Sequence, residues 1–160
     1  MFGITLIFLY LMSTLYHSLT FTRAKKVFQI LDHSSIFLLI AGTYTPFALV
    51  PLKGPIGYTL LLIVWIIAIG GILLKIFFMN KLLFSIIIYL GLGWLCLIVA
   101  AEPIITNLLP ISFNYLLIGG IIYSIGVIFY LWDKIRFNHN LWHLFVLAGS
   151  LCHIISIYYI

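Results

Sequence analysis

Six long apolar runs, each closed by a short break, constrain this chain more than any other feature of its sequence. A helix needs about 17–25 predominantly apolar residues to cross a bilayer, and such runs fall at roughly 1–19, 31–50, 56–78, 82–101, 113–132 and 139–160. None alternates with the period of two expected of a membrane β-strand. The breaks carry Pro, Gly and charge, the usual punctuation of helices: Thr22-Arg23-Ala24-Lys25-Lys26, Pro51-Leu52-Lys53-Gly54-Pro55, Asn80-Lys81, Glu102-Pro103 to Pro110, and Asp133 to Asn138. The expected fold is all-α, a polytopic transmembrane helical bundle. No internal repeat and no linker divides the runs, so residues 1–160 read as a single integral membrane domain.

Composition closes the alternatives. Only 7% of the 160 residues are charged and 65% are hydrophobic, against about 25% charged in soluble domains, which excludes an ordinary soluble fold and a disordered chain. The formal charge of +5 is unevenly placed. Alternating the breaks across the bilayer puts Arg23, Lys25, Lys26, Lys75, Lys81, Lys134 and Arg136 on one side and Lys53 on the other. Such a positive-inside bias makes the first, third and fifth breaks cytoplasmic and turns the carboxyl terminus outward. The basic balance is thereby explained without nucleic acid. No positive segment precedes the first run, so a cleaved signal peptide is not expected. Cys96 and Cys152 lie inside apolar runs and form no disulfide framework.

Ionisable side chains inside membrane helices are costly and mark function by default. Those here are few: His17, His33, His139, His143 and His153, with Asp32 opening the second run and Ser13 one turn before His17. His139 and His143 stand four residues apart, on one helix face about 6 Å apart along the axis. That spacing suits a two-histidine metal site, although no Glu follows the first His as in the common metalloprotease motif. The spacing arises easily by chance; placement gives it weight, because the first, second and sixth runs bring His17, Asp32 and His139/His143 to the same membrane side. A catalytic zinc needs three protein ligands and an open position. His17 is the natural third ligand, Asp32 a candidate base, and Ser13 a partner for Asp32 or a substrate oxygen.

Plainer roles compete. Asp32 at the start of a run also suits a helix cap, and His17 and His33 suit an interface where polar aromatic tips are comfortable. His153, about 15 Å deeper than His143, is expected to make an interhelical hydrogen bond rather than to bind metal. Glu102 is expected in a solvated outward loop, and Asp133 as a local ion-pair partner or cap. Tyr and Trp fit interfacial belts, and Gly70-Gly71, Gly91, Gly93, Gly119-Gly120, Gly126 and Gly149 fit close helix packing.

Four motifs carry a resemblance: Ser13-Thr14-Leu15-Tyr16-His17; Leu31-Asp32-His33-Ser34-Ser35-Ile36; Ala41-Gly42-Thr43-Tyr44-Thr45-Pro46-Phe47; and His139-Asn140-Leu141-Trp142-His143 running on to Ser150, with His153 beyond. In this order, and from end to end, the chain resembles the bacterial hemolysin III family within the superfamily of progestin and adiponectin receptors. The resemblance implies a seven-helix fold with an outward carboxyl terminus and an intramembrane zinc near the cytoplasmic face, in a bacterial inner membrane. Carried over residue by residue, the zinc ligands fall on His17, His139 and His143, the motif serine on Ser13 and the motif aspartate on Asp32. Members ordinarily have one more helix before the Ser-x-x-x-His span, so six of seven are expected here. Relatives are associated with hydrolysis of lipid amides such as ceramides, and bacterial members with a cell-lysis label and membrane-lipid homeostasis.

The leading expectation is a zinc-dependent hydrolase of a lipid amide or ester, with membrane lipids as environment and substrate. A non-enzymatic, zinc-stabilised sensor or regulator of lipid state is the alternative. A pore-forming or cytolytic protein has less support, since no ring of charge or continuous polar face lines a path.

Overall fold

The apolar runs form helices. The computed structural model describes residues 1–20, 23–77, 82–132, 134 and 136–160. In order these are α1 (Phe2–Ser18), α2 (Arg23–Leu49), α3 (Pro55–Phe77), α4 (Leu82–Val99), α5 (Ala101–Asn107), α6 (Pro110–Leu131) and α7 (Asn138–Tyr158). No strand occurs among the described residues. By length and composition α2, α3, α6 and α7 each suffice to cross a membrane, and α4 with α5 across the break at Ala100 makes a fifth; α1 is a shorter apolar helix of 17 residues. The protein is all-α and membrane-spanning. Asn80, Lys81 and Asp133, with Thr22, lie outside the described residues.

Two boundaries differ from the hydropathy reading, for one reason. The helix of the second run starts at Arg23 rather than near residue 31, because hydropathy reports where a chain meets lipid, whereas Ala24, Lys25, Lys26 and Gln29 are good helix formers that continue the helix past it. Likewise the stretch from Glu102 is a short helix, not a loop. Glu102 and Pro103 occupy its first turn, where an acid complements the helix dipole and a proline loses no needed hydrogen bond. Glu102 is exposed, as expected.

The chain forms two compact units, Met1–Cys96 and Leu97–Ile160. In the first, α2 packs against both α1 and α3. Lipid supplies no hydrophobic drive between helices, so close approach at small residues replaces it. Gly42 of α2 admits Thr5 of α1, and Gly71 of α3 admits the ring of Phe37 of α2; a Cβ at either glycine would overlap those side chains. The buried face of α3 is a single stripe, Gly57, Leu60, Val64, Ala68, Gly71 and Lys75, while Leu62, Ile66, Ile69, Leu73 and Phe77 stand exposed, as lipid-facing side chains do. Tyr44 fastens α2 to α4. Its hydroxyl donates to the Leu92 carbonyl at 2.7 Å and accepts from the Cys96 N–H at 2.8 Å. Those two groups are the i and i+4 partners of the helical ladder, so a side chain stands in the ladder of α4 just before Ala100.

In the second unit α6 and α7 pack together by reciprocal knobs and notches. The His153 ring fills the space over Gly119, the Tyr123 ring that over Gly149, and Trp142 with Phe145 that over Gly126. Ser112 and Ser156 exchange hydrogen bonds, each hydroxyl donating to the other's carbonyl, at 2.9 and 2.7 Å. Gly71, Gly119, Gly126 and Gly149 therefore do serve packing, whereas a Cβ at Gly70, Gly91 or Gly93 would meet nothing within 4 Å. His153 does lie at this interface, but not through the expected hydrogen bond: the Leu116 carbonyl borders the ring, yet neither ring nitrogen reaches a partner in hydrogen-bonding geometry. Shape, not polarity, places this histidine.

Candidate metal and acid–base site

In the first unit the chemistry begins with Ser13, on the buried face of α1 with Thr5, Leu9 and Met12. Its hydroxyl hydrogen-bonds the Asp32 carboxyl of α2, and both side chains are buried, at 6% and 7% exposure. Since α2 starts at Arg23, Asp32 stands well inside the helix and is not its cap. The dipole and the orphan N–H groups of the first turn are out of its reach. An acid held inside a membrane helix by a hydroxyl from a neighbouring helix requires another explanation, and function is the default.

His17 lies one turn beyond Ser13 on α1 and is exposed on its unit, with its ring centroid 4.7 Å from that of Tyr16. Lys25 braces this end of α1: its ammonium donates to the Leu19 carbonyl at 3.1 Å and stands 5.5 Å above the Tyr16 ring. A cation at a helix C-terminus satisfies carbonyls the helix leaves open. His33 is held through its backbone, its carbonyl accepting from the Tyr89 hydroxyl at 2.9 Å.

In the second unit His139 and His143 face each other, with their Nε2 atoms 3.0 Å apart and their ring planes near perpendicular at 83°. Zn–N bonds of 2.0–2.1 Å at tetrahedral angles place two ligand nitrogens roughly 3.3 Å apart, so the pair fits a shared ion. With one ring protonated at Nε2 and the other not, the same contact is an N–H···N hydrogen bond.

The local sequence explains the position of the pair. Phe137, with φ 64° in the left-handed region, turns the chain into α7. Asn138 then accepts from the His139 N–H at 2.8 Å and donates to the Tyr130 carbonyl of α6 at 3.4 Å, while the Tyr130 ring lies 5.8 Å from that of His139. Asn138, Tyr130 and Lys25 were not singled out from sequence. An Asn beside a helix start is a readable capping signal, but its partner on α6 is not readable.

Membrane-spanning helices, with a buried acid held by a serine in the first unit and a facing histidine pair in the second, define a class: a polytopic helical membrane protein with a candidate acid–base pair and a candidate pair of metal ligands. Residues 1–154 match the family described as haemolysin-III related, and the chain belongs to that family. It is 55% identical to a hemolysin-3 of Bacillus cereus over 150 residues, 93% of this chain and 68% of that protein. It is 53% identical to a hemolysin-3 homolog of Bacillus subtilis (strain 168), over 93% of this chain and 70% of the other. At 27% identity it also matches a monocyte to macrophage differentiation factor of Homo sapiens, over 98% of this chain and 67% of that protein. No solved structure matches.

Proposed function

We propose that this protein is a zinc-dependent hydrolase of a membrane-lipid amide or ester, with His139 and His143 as two metal ligands, His17 as the third, Asp32 as the proton-handling acid and Ser13 as the group that positions it. The observation that carries the reading is the facing histidine pair, its two nitrogens 3.0 Å apart on one turn of α7. His17 is supported by its place in the Ser-x-x-x-His motif beside the Ser13–Asp32 pair. Zinc bound to three imidazoles would supply Lewis-acid polarisation of a carbonyl and acidification of water at neutral pH.

The chain's own residues supply the rest. Asp32 takes the proton from the attacking water and returns one to the leaving amine or alcohol. The Ser13 hydroxyl keeps the Asp32 carboxyl in one orientation, which a carboxylate in a helix interior would otherwise lack. The apolar faces of the helices bring lipid, solvent and substrate in one, to the buried acid. We read the basic residues Arg23, Lys25, Lys26, Lys134 and Arg136 as marking the cytoplasmic side of a bacterial inner membrane, with the carboxyl terminus outside.

The test measures metal content and hydrolysis of a fluorogenic ceramide and a fluorogenic acyl ester by the chain purified in detergent, beside His143→Ala. Near-stoichiometric zinc and hydrolysis, both lost in the variant, are expected. Undiminished lipid hydrolysis by metal-free protein would overturn the proposal.

A further inference from the structure

The two facing histidines of the second unit are not equally secured by α7 itself. His143 stands a turn inside the helix, but His139 is its second residue. The N–H groups of a first turn have no partners within the helix, and helix ends fray, so a ligand placed there is the looser of the two. Here its backbone is fixed from outside. The Asn138 side-chain oxygen accepts from the His139 N–H at 2.8 Å, and its NH2 group donates at 3.4 Å to the carbonyl of Tyr130, in the last turn of α6. One amide thereby serves an open donor at the start of α7 and an open acceptor at the end of α6, and clasps the two helix ends together.

Two further observations fall on the same few residues. Phe137, immediately before Asn138, is the one non-glycine residue with positive φ among the described residues. A bulky side chain rarely adopts the left-handed region, and such strain persists where surrounding contacts hold it, most often beside functional sites. The Leu141 N–H, donating to the Phe137 carbonyl at 3.0 Å, and the Asn138 amide are contacts of that kind. The other observation is the Tyr130 ring. The residue whose carbonyl takes the Asn138 amide also sets its ring 5.8 Å from the His139 imidazole and 5.6 Å from Trp142, which itself packs over Gly126. The clasp fixes the direction of the His139 Cα–Cβ bond, and the Tyr130 ring restricts the rotamers open to the imidazole.

We infer that Asn138 is a positioning residue for metal binding: its clasp between α6 and α7 holds His139 with Nε2 3.0 Å from that of His143 before an ion arrives. Ordering a loose ligand at the moment of binding subtracts from affinity, and a preformed pair avoids that cost. Groups that orient metal ligands from behind typically contribute about 10–100-fold to metal affinity. The inference rests on the zinc reading of the histidine pair and adds to it a residue that touches no ion.

Cobalt(II), whose visible absorption reports coordination number and geometry, tests it. The ion is titrated into the metal-free chain in detergent, and zinc is then added to displace it, which gives the zinc Kd. Wild type is expected to bind cobalt stoichiometrically, with the intense band of a low-coordinate site. Asn138→Ala is expected to raise the zinc Kd by about 10–100-fold and to weaken and shift the cobalt band, because His139 no longer meets the ion in a fixed orientation. Ser112→Ala, which removes a hydrogen bond between α6 and α7 far from the histidines, is the control for stability alone: its Tm should fall while its cobalt spectrum and zinc Kd stay at the wild-type values. If Asn138→Ala does not fold, Asn138→Ser, which keeps an acceptor for the His139 N–H but is too short for the Tyr130 carbonyl, reads the same quantities. A wild-type Kd and spectrum in the Asn138 variant, or changes no larger than those of Ser112→Ala, would overturn the positioning role alone. Absence of metal binding by the wild type would overturn the zinc reading itself, and this inference with it.

Discussion

Ser13 and Asp32 show how much one contact changes the meaning of a residue. An aspartate at the edge of an apolar run reads equally as a cap or as a catalytic acid, and only the length of α2 separates the two: with eight residues of helix gained at its start, no cap is possible. If Asp32 handles protons and Ser13 orients it, their substitutions must differ in size. Asp32→Asn is expected to lower kcat for lipid-amide hydrolysis by about 10²–10⁴-fold, the usual contribution of a general acid–base group. Ser13→Ala should cost about tenfold, since it removes a single hydrogen bond. Both should retain zinc and helical circular dichroism. Equal losses in the two variants would mean that Ser13 itself touches the reacting atoms.

At the scale of the helix, the neighbouring glycines of α3 separate packing from propensity. A Cβ at Gly71 would overlap the Phe37 ring, whereas one at Gly70 meets nothing within 4 Å. Gly71→Ala should therefore destabilise by about 1–3 kcal/mol, the range for overpacking a filled interface. Gly70→Ala should be neutral or stabilising by up to about 1 kcal/mol, the helix-propensity difference between the two residues. Thermal unfolding in detergent, followed by circular dichroism, checks both signs at once. In sequence the two positions are indistinguishable. The same holds for Tyr44, whose hydroxyl between Leu92 and Cys96 is one of several in aromatic-rich spans and reveals its role only when α4 lies opposite.

For the molecule as a whole, a metal that binds only the folded chain must appear in its stability. Ligand present at about 100 times its Kd adds roughly 2.7 kcal/mol to the folded state. Stripping zinc with a chelator is therefore expected to lower the wild-type Tm by several degrees. The Tm of His143→Ala should already be low and should not respond. A wild-type Tm indifferent to chelator, in protein shown to have carried zinc, would mean that the ion is bound equally well by the unfolded chain.

The sequence by itself determined the class of fold, the approximate place of the apolar helices, the family, and the residue types of the candidate ligands and acid. These follow from local quantities: lipid demands long apolar runs whose backbone bonds close within one segment, and metal or acid–base chemistry demands imidazole and carboxylate. The facing of His139 and His143 was also legible, because i and i+4 lie on one helix face whatever surrounds them. Only the tertiary structure decided what depends on a partner from another helix. It set Ser13 against Asp32, ruled out the cap, and left His153 packed over Gly119 without a hydrogen bond. Hydropathy assigns a residue to a depth in the membrane, but the direction a side chain faces and the group it meets are fixed by interhelical contacts distant in sequence.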